Sequence, residues 1–346
     1  MALNELLAVP DSRVAGLRTV LDRVLASRSV VLTTHVHADG DGAGSEAAVA
    51  AWLEAVGIRA AIVNPTPFPE MFRFLLHRAE VVVDLGAGGE DRVREADLVV
   101  VLDTSEPKRV GAVAKLVDPE RTLVVDHHPA GGEVVGGFGV QDPAASATGE
   151  MVYDLLSLAG GPWPPASVQG MYVALVSDTG SFRYGNTTPR VHALAADLMA
   201  RGVDPEAVYR RLFATAPRRR LELLREALGN LHTDPELRLG WMVVDHETAS
   251  RLGATPEDFD GLIEHVRSIE GTEVAILFRG TPEGETKISF RSNGDADVNR
   301  IAREFGGGGH VKAAGALVPG APGEVVPRVV EAVRRALAAG HMEHEG

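Results

Sequence analysis

Two short stretches of this chain carry the donors of transition-metal sites: His35-Val36-His37-Ala38-Asp39-Gly40-Asp41 and the later triplet Asp126-His127-His128. The apolar run Val30, Val31, Leu32 leads straight into His35, so the first cluster reads as the exit of a buried parallel strand. Residues 44–57 follow, Ala-rich with apolar residues at helical spacing and ended by Gly57, and predict a helix. Open α/β sheets collect ligands where strands end and helices begin. Two further apolar runs finish in the same kind of residue. Leu98 to Leu102 leads into Asp103, and Leu123 to Val125 leads into Asp126. The segment Tyr172 to Val176 leads to Asp178 and fits helix or strand, since periodicity does not decide so short a piece. A single Asp after a hydrophobic strand is ordinarily a turn former or a helix cap. Four elements that each deliver a donor to one edge of a core predict a metal site.

The elements that must position these donors alternate strand and helix to about residue 160, where the turn Gly160-Gly161-Pro162-Trp163-Pro164-Pro165 stands before a helix-rich stretch. Polar helical segments from about 204 to 229 read as a connector. A new strand signal opens at Leu239 to Val244, and Glu273 to Arg279 and Thr286 to Arg291 flank Pro282-Glu283-Gly284 as a hairpin. Residues 320–324 read as a loop before a last amphipathic helix, with a frayed His-rich end. The expected division is residues 1–203, carrying the predicted metal site; 204–236, a helical connector; and 237–340, a second domain.

With 346 residues the chain suits two domains of ordinary size. It has no run of about 18 apolar residues and no charged-then-apolar leader pattern, which predicts a cytoplasmic protein without membrane contact. Cysteine is absent, so disulfides are excluded. The net charge of −14 argues against a grip on long nucleic acid, which needs a basic stripe to release counterions. Short nucleotides or small phosphate esters fit better. The triplet Arg218-Arg219-Arg220 reads as a solvated helix face.

On these residues the chain resembles the DHH phosphoesterases, named for the triplet present as Asp126-His127-His128. The first family motif, H-x-x-x-D-x-D, matches His35, Asp39 and Asp41, with Ala38 where many relatives have Pro. The lone Asp of the second matches Asp103, and the fourth matches Asp178-Thr179-Gly180. Gly306-Gly307-Gly308-Gly309-His310 is similar to the GGGH signature of the companion DHHA1 domain. The resemblance implies an α/β fold: a parallel-sheet DHH catalytic domain with helices on both faces, joined by the connector to a smaller α/β DHHA1 domain with a mixed sheet.

It also implies roles. His35, Asp39 and Asp103 would hold one divalent cation, and Asp41, Asp103, His127 and Asp178 the other, with Asp103 bridging. Two such ions about 3.5–4 Å apart share a hydroxide that attacks phosphorus in line. Manganese is the first choice, with cobalt or magnesium as alternatives. Catalytic roles fall to Asp103, His127, His128 and Asp126, the last orienting a histidine, with His128 near the phosphate; His37 takes no ligand role. Substrate contacts are expected from His128, Arg109, Arg183, Arg291, Asn299, Gly307, Gly308, Gly309 and His310. A bare glycine run is ordinarily a flexible loop; here it would let backbone N–H groups approach an anion. Within the family the chain is most similar to the oligoribonuclease (nanoRNase) and pAp phosphatase group. That implies short RNA oligonucleotides, from di- to pentanucleotides, and 3′-phosphoadenosine 5′-phosphate (pAp) as substrates. The alternatives are a phosphodiesterase for cyclic di-AMP or pApA, and a nucleotide-binding protein without turnover. The oligomeric state stays open, a homodimer included.

Overall fold

The computed structural model describes residues 3–129 and 133–343, leaving aside the side chains of 310 and 338–343. The chain divides into two compact units, Met1–Ala214 and Thr215–Gly346.

The first unit is built on five parallel strands in the order β2-β1-β3-β4-β5. They are β1 (Ser29–Thr33), β2 (Arg59–Ile62), β3 (Leu98–Leu102), β4 (Thr122–Asp126) and β5 (Phe138–Gln141). Around them lie α1 (Leu3–Leu7), α2 (Asp11–Leu25), α3 (Gly40–Ala55), α4 (Gly89–Glu95), α5 (Pro107–Val110), α6 (Thr148–Ala159), α7 (Pro165–Asp178), α8 (Pro189–Ala200) and α9 (Pro205–Phe213). Alternate strand residues feed two separate cores. Leu98, Val100 and Leu102 join the one containing Trp52 and Met151, whereas Val99 and Val101 join the one containing Val93 and Val113. Burial on both faces is why β1, β3 and β4 are continuous apolar runs. In register, Thr33 stands beside Val101, Leu102 beside Val125, and Asp126 beside Gln141. The carboxyl ends of β1, β3 and β4 therefore open on one edge.

Two helices bring further donors to that edge. Asp39 caps α3, its Oδ1 accepting from the N–H groups of Asp41 (3.0 Å) and Gly42 (3.2 Å), so the helix starts four residues before the stretch expected from apolar spacing. The segment leading to Asp178 is helical. A Cβ on Gly44 would lie 2.4 Å from the Gly170 carbonyl, and the reverse holds for Gly170, so α3 and α7 cross backbone against backbone. Only glycine permits that approach.

The second unit holds a mixed sheet in the order β10-β11-β9-β8-β7-β6, in which β7 and β8 are parallel and the other pairs antiparallel. Its strands are β6 (Leu231–Asp234), β7 (Leu239–Val244), β8 (Val274–Gly280), β9 (Glu285–Ser292), β10 (Gly308–His310) and β11 (Ala313–Pro319). Its helices are α10 (Arg218–Gly229), α11 (His246–Arg251), α12 (Leu262–Arg267), α13 (Val298–Glu304) and α14 (Pro322–Glu343). The expected connector is shared out: α9 belongs to the first unit, α10 to the second, and Leu231–Asp234 pairs with β7 as a strand. The stretch read as a loop at 320–324 already contains the start of α14, where Pro322 suits a first helical turn. Of the His-rich end, α14 reaches Glu343, and 344–346 lie outside the described residues.

Candidate metal centre

Asp103 leaves β3 with φ 62°, a left-handed backbone that non-glycine residues seldom adopt outside functional turns. Its N–H donates to the Val125 carbonyl at 3.0 Å, which pins the turn to β4. The carboxylate then faces two imidazoles at once. Its Oδ2 is 3.4 Å from His35 Nε2 and its Oδ1 is 3.5 Å from His127 Nε2. Asp39 lies 3.8 Å from His35 Nε2, while Asp41 and Asp178 lie 3.6 Å and 3.0 Å from His127 Nε2. Two donor groups result, His35-Asp39-Asp103 and Asp41-His127-Asp178, each with its donor atoms within 4.8 Å of one another.

The ring orientations fit a metal. His35 Nδ1 faces its neighbour Val36's carbonyl at 2.9 Å and His127 Nδ1 faces that of Ala145 at 3.3 Å. Each contact places the ring proton on Nδ1 and leaves Nε2 as the donor atom. Both Nε2 atoms are buried without a hydrogen-bond partner, an arrangement that costs stability unless something else meets them. Charge balance agrees. Burial works against a charge on either ring, yet Asp103 and Asp39 push His35 up to about 10, and Asp103 and Asp178 push His127 up to about 11. Burial, then the neighbouring carboxylates, raise Asp41 and Asp178, whereas Asp103 is held far below the usual carboxylate range against its burial by His127 and His35. So many clustered carboxylates call for cations, and mixed imidazole and carboxylate donors suit a divalent metal ion.

Asp126 accepts from His128 twice, at 3.0 Å from its backbone N–H and 2.8 Å from Nδ1. The histidine it orients is thus His128, held through Nδ1. A third donor group, Asp103-His127-His128, overlaps the second. His37 is exposed on a left-handed turn and joins none of these groups. Arg109 lies half-buried in α5, its carbonyl accepting from Val36 N–H at 2.7 Å. Arg183 is exposed and its Nε donates to the Gly180 carbonyl at 2.6 Å.

Several residues around the donors carry no signature of their own in the sequence. Thr148 and Gly149, at the start of α6, donate their N–H groups to the two oxygens of Asp41 at 2.6 and 2.8 Å, and Thr148 Oγ1 donates to Asp103 Oδ1 at 3.1 Å. Gln141 donates to Asp126 at 3.3 Å and Ser105 at 2.7 Å. Asn186 Nδ2 donates to the carbonyls of both Ser146 and Asp178 at 3.0 Å. For Thr148 the one signal available is that Ser146 and Thr148 stand just before the helically spaced Met151, Val152, Leu155 and Leu156.

In the second unit the glycine run is an edge strand and not a free loop. Cβ atoms on Gly307 and Gly309 would sit 2.1 and 2.5 Å from the carbonyls of Gly315 and Ala313, so β10 lies close against β11. Register places His310 beside Ala313 and Ala313 beside Arg291; the His310 side chain is outside the described residues. Arg291 Nε is 3.7 Å from Glu264. Asn299 Oδ1 is buried without a partner, 3.8 Å from where a Cβ on Gly308 would stand.

Comparison with known proteins agrees with this architecture. Residues 29–176 match the DHH family N-terminal domain and residues 244–339 the DHHA1 domain. The bifunctional oligoribonuclease and PAP phosphatase NrnA of Thermus thermophilus is 33% identical over 312 residues, 89% of this chain and 90% of that protein. An exopolyphosphatase-related protein from Bacteroides fragilis superimposes with a TM-score of 0.88 at 23% identity, over 94% of this chain and 97% of that one. The exonuclease RecJ bound to manganese shares the fold at a TM-score of 0.55 and 17% identity, over 98% and 96%. The chain belongs to the DHH family of phosphoesterases. It is accordingly a hydrolase of phosphoric ester bonds, and its relatives include oligoribonuclease and PAP phosphatase enzymes.

Proposed function

We propose that this protein hydrolyses short oligoribonucleotides to mononucleotides and dephosphorylates pAp to AMP at a centre of two divalent cations, manganese by preference. The observation that carries the reading is Asp103, whose two oxygens face two separate histidines with bare Nε2 atoms. His35, Asp39 and Asp103 would hold one cation, and Asp41, Asp103, His127 and Asp178 the other. When bound, the pair would activate water and draw charge from a phosphoryl oxygen.

The chain's own groups do the rest. The start of α6 fixes the Asp41 carboxylate, Thr148 fixes Asp103, and Asp126 sets the His128 ring through Nδ1 so that the ring, as imidazolium, can donate from Nε2 to a phosphoryl oxygen and supply that proton to the leaving group. Arg291, Asn299, His310 and the backbone of Gly307–Gly309 take the far part of the nucleotide, and Arg109 and Arg183 serve as phosphate contacts. Such remote binding places the ester for attack.

A product time course with manganese on a 5′-labelled trinucleotide, beside pAp, pApA and cyclic di-AMP, tests the assignment. Mononucleotide and AMP release is expected. Turnover of cyclic di-AMP or pApA in preference to both would replace the assignment with a dinucleotide phosphodiesterase, and binding without turnover would replace it with a sensor.

A further inference from the structure

The two faces of the second unit's sheet are covered unequally. Ile288 and Phe290 of β9 and Ala314, Ala316 and Val318 of β11 point into the core shared with α13 and α14. On the opposite face, Met242, Val244, Ala275 and Leu277 of β7 and β8 are buried with residues of α10 and α12. Over β9, β11 and β10 this second face contributes no residue to any core among the described residues. Lys287 and Leu317 are exposed there, and Ser289, Arg291, Ala313 and Gly315 are half-buried.

Register arranges that open face in rows. Ser289, Gly315 and Gly308 stand side by side and form a floor with no side chain larger than a hydroxymethyl. Arg291 borders the floor on one side. On the other, Lys287 stands directly opposite Arg279 of β8. Four residues of strand separate Lys287 from Arg291, roughly 13–14 Å. Like charges placed opposite each other across strands destabilise a sheet. Neither cation of the pair makes a hydrogen bond or salt bridge among the described residues, although Arg279 lies over the Phe259 ring at 4.7 Å. The carboxylates acting on the pair are Asp260, on both, and Glu257, on Arg279. On a chain of net charge −14, a cation pair beside a flat floor, with no carboxylate at hydrogen-bond or salt-bridge distance among the described residues, is a site for an anion.

We propose that Arg279 and Lys287 form a second phosphate station, which engages a backbone phosphate of oligonucleotides too long to be held at Arg291 alone, with a sugar or base lying on the Ser289-Gly315-Gly308 floor. This rests on the oligonucleotide reading above. Although the side chain is exposed, desolvation by the protein around its base and then the charge of Arg279 pull the Lys287 ammonium below its ordinary range, and a phosphate at the pair reverses that.

The test is steady-state kinetics of the full-length, manganese-loaded enzyme and its R279Q/K287Q variant on pAp and on a pentanucleotide at several salt concentrations. Turnover of pAp should be unchanged, KM for the pentanucleotide should rise about tenfold, and its salt slope should flatten by about 0.7, the value for one lost phosphate contact on a single strand. Unchanged pentanucleotide KM with pAp turnover intact would overturn the station. Wild-type protein that turns over neither substrate would overturn the functional reading instead. Should the double variant lose pAp turnover through misfolding, K287Q alone decides, by a pentanucleotide-specific rise in KM or its absence.

Discussion

At the scale of single residues, the centre depends on one carboxylate serving two histidines. Asp103→Asn should lower manganese affinity and turnover at least about 100-fold, because one amide cannot replace two anionic donor atoms; isothermal titration and a pAp assay measure both. Thr148 ties Asp103 and Asp41 together through its hydroxyl and its N–H. Thr148→Val removes only the hydroxyl and should weaken manganese binding about 10–100-fold, with Thr148→Ser restoring it. The two histidines give the centre a pH signature. Each must be neutral to bind a metal, and without metal each keeps its proton until about pH 10 and 11. Manganese binding at neutral pH should therefore release at least two protons, and affinity should rise with pH. Calorimetry in buffers of different ionisation enthalpy counts them; release of none would remove both rings from the ligand set. The donors were legible in the sequence because His and Asp have few other reasons to stand at the ends of buried strands. The backbone N–H groups of Thr148 and Gly149 and the left-handed turn at Asp103 were not, since neither has a residue type of its own.

At the scale of elements, β1, β3 and β4 were legible because burial on both faces leaves unbroken apolar runs. Arg59–Ile62 and Phe138–Gln141 are strands at the sheet edges, only partly buried, and their short mixed sequences resemble loops. The piece before Asp178 stayed ambiguous because α7 is buried nearly all round, which erases helical periodicity. What sequence pattern did not reveal was how closely α3 and α7 cross. Gly44→Ala would drive a methyl against the Gly170 carbonyl, and α3 carries Asp41 in its first turn while α7 closes with Asp178. The substitution should cost about 1–3 kcal/mol in urea unfolding and weaken manganese binding by prying the two proposed ligands apart. A buried charge network anchors α6 from behind. Arg13 on α2 meets Asp142, Glu150 and Asp154 at 2.5–2.8 Å, and Arg190 on α8 shares Glu150 and Asp154. Glu150 also accepts from Ser146 N–H at 3.1 Å, two residues before the donors that hold Asp41.

For the whole molecule the deciding quantity is charge. At −14, with cations such as Arg218 and Arg219 already paired to Glu222 and Asp258, the chain has little to spend on a long phosphate backbone. No described helix is long and apolar enough to cross a membrane. Grip on a polyanion grows with every phosphate neutralised, whereas repulsion from an acidic surface grows with every phosphate added beyond the cationic contacts. Catalytic efficiency should thus pass through a maximum at a few nucleotides and fall on long single strands. The fall should be steepest at low salt, where repulsion is least screened. Rates on 5′-labelled strands of increasing length, at low and physiological salt, measure this. An efficiency that keeps rising with length, and falls as salt is added to the longest strands, would mean that the acidic surface is outweighed by a basic track, and the preference for short substrates would have to be abandoned.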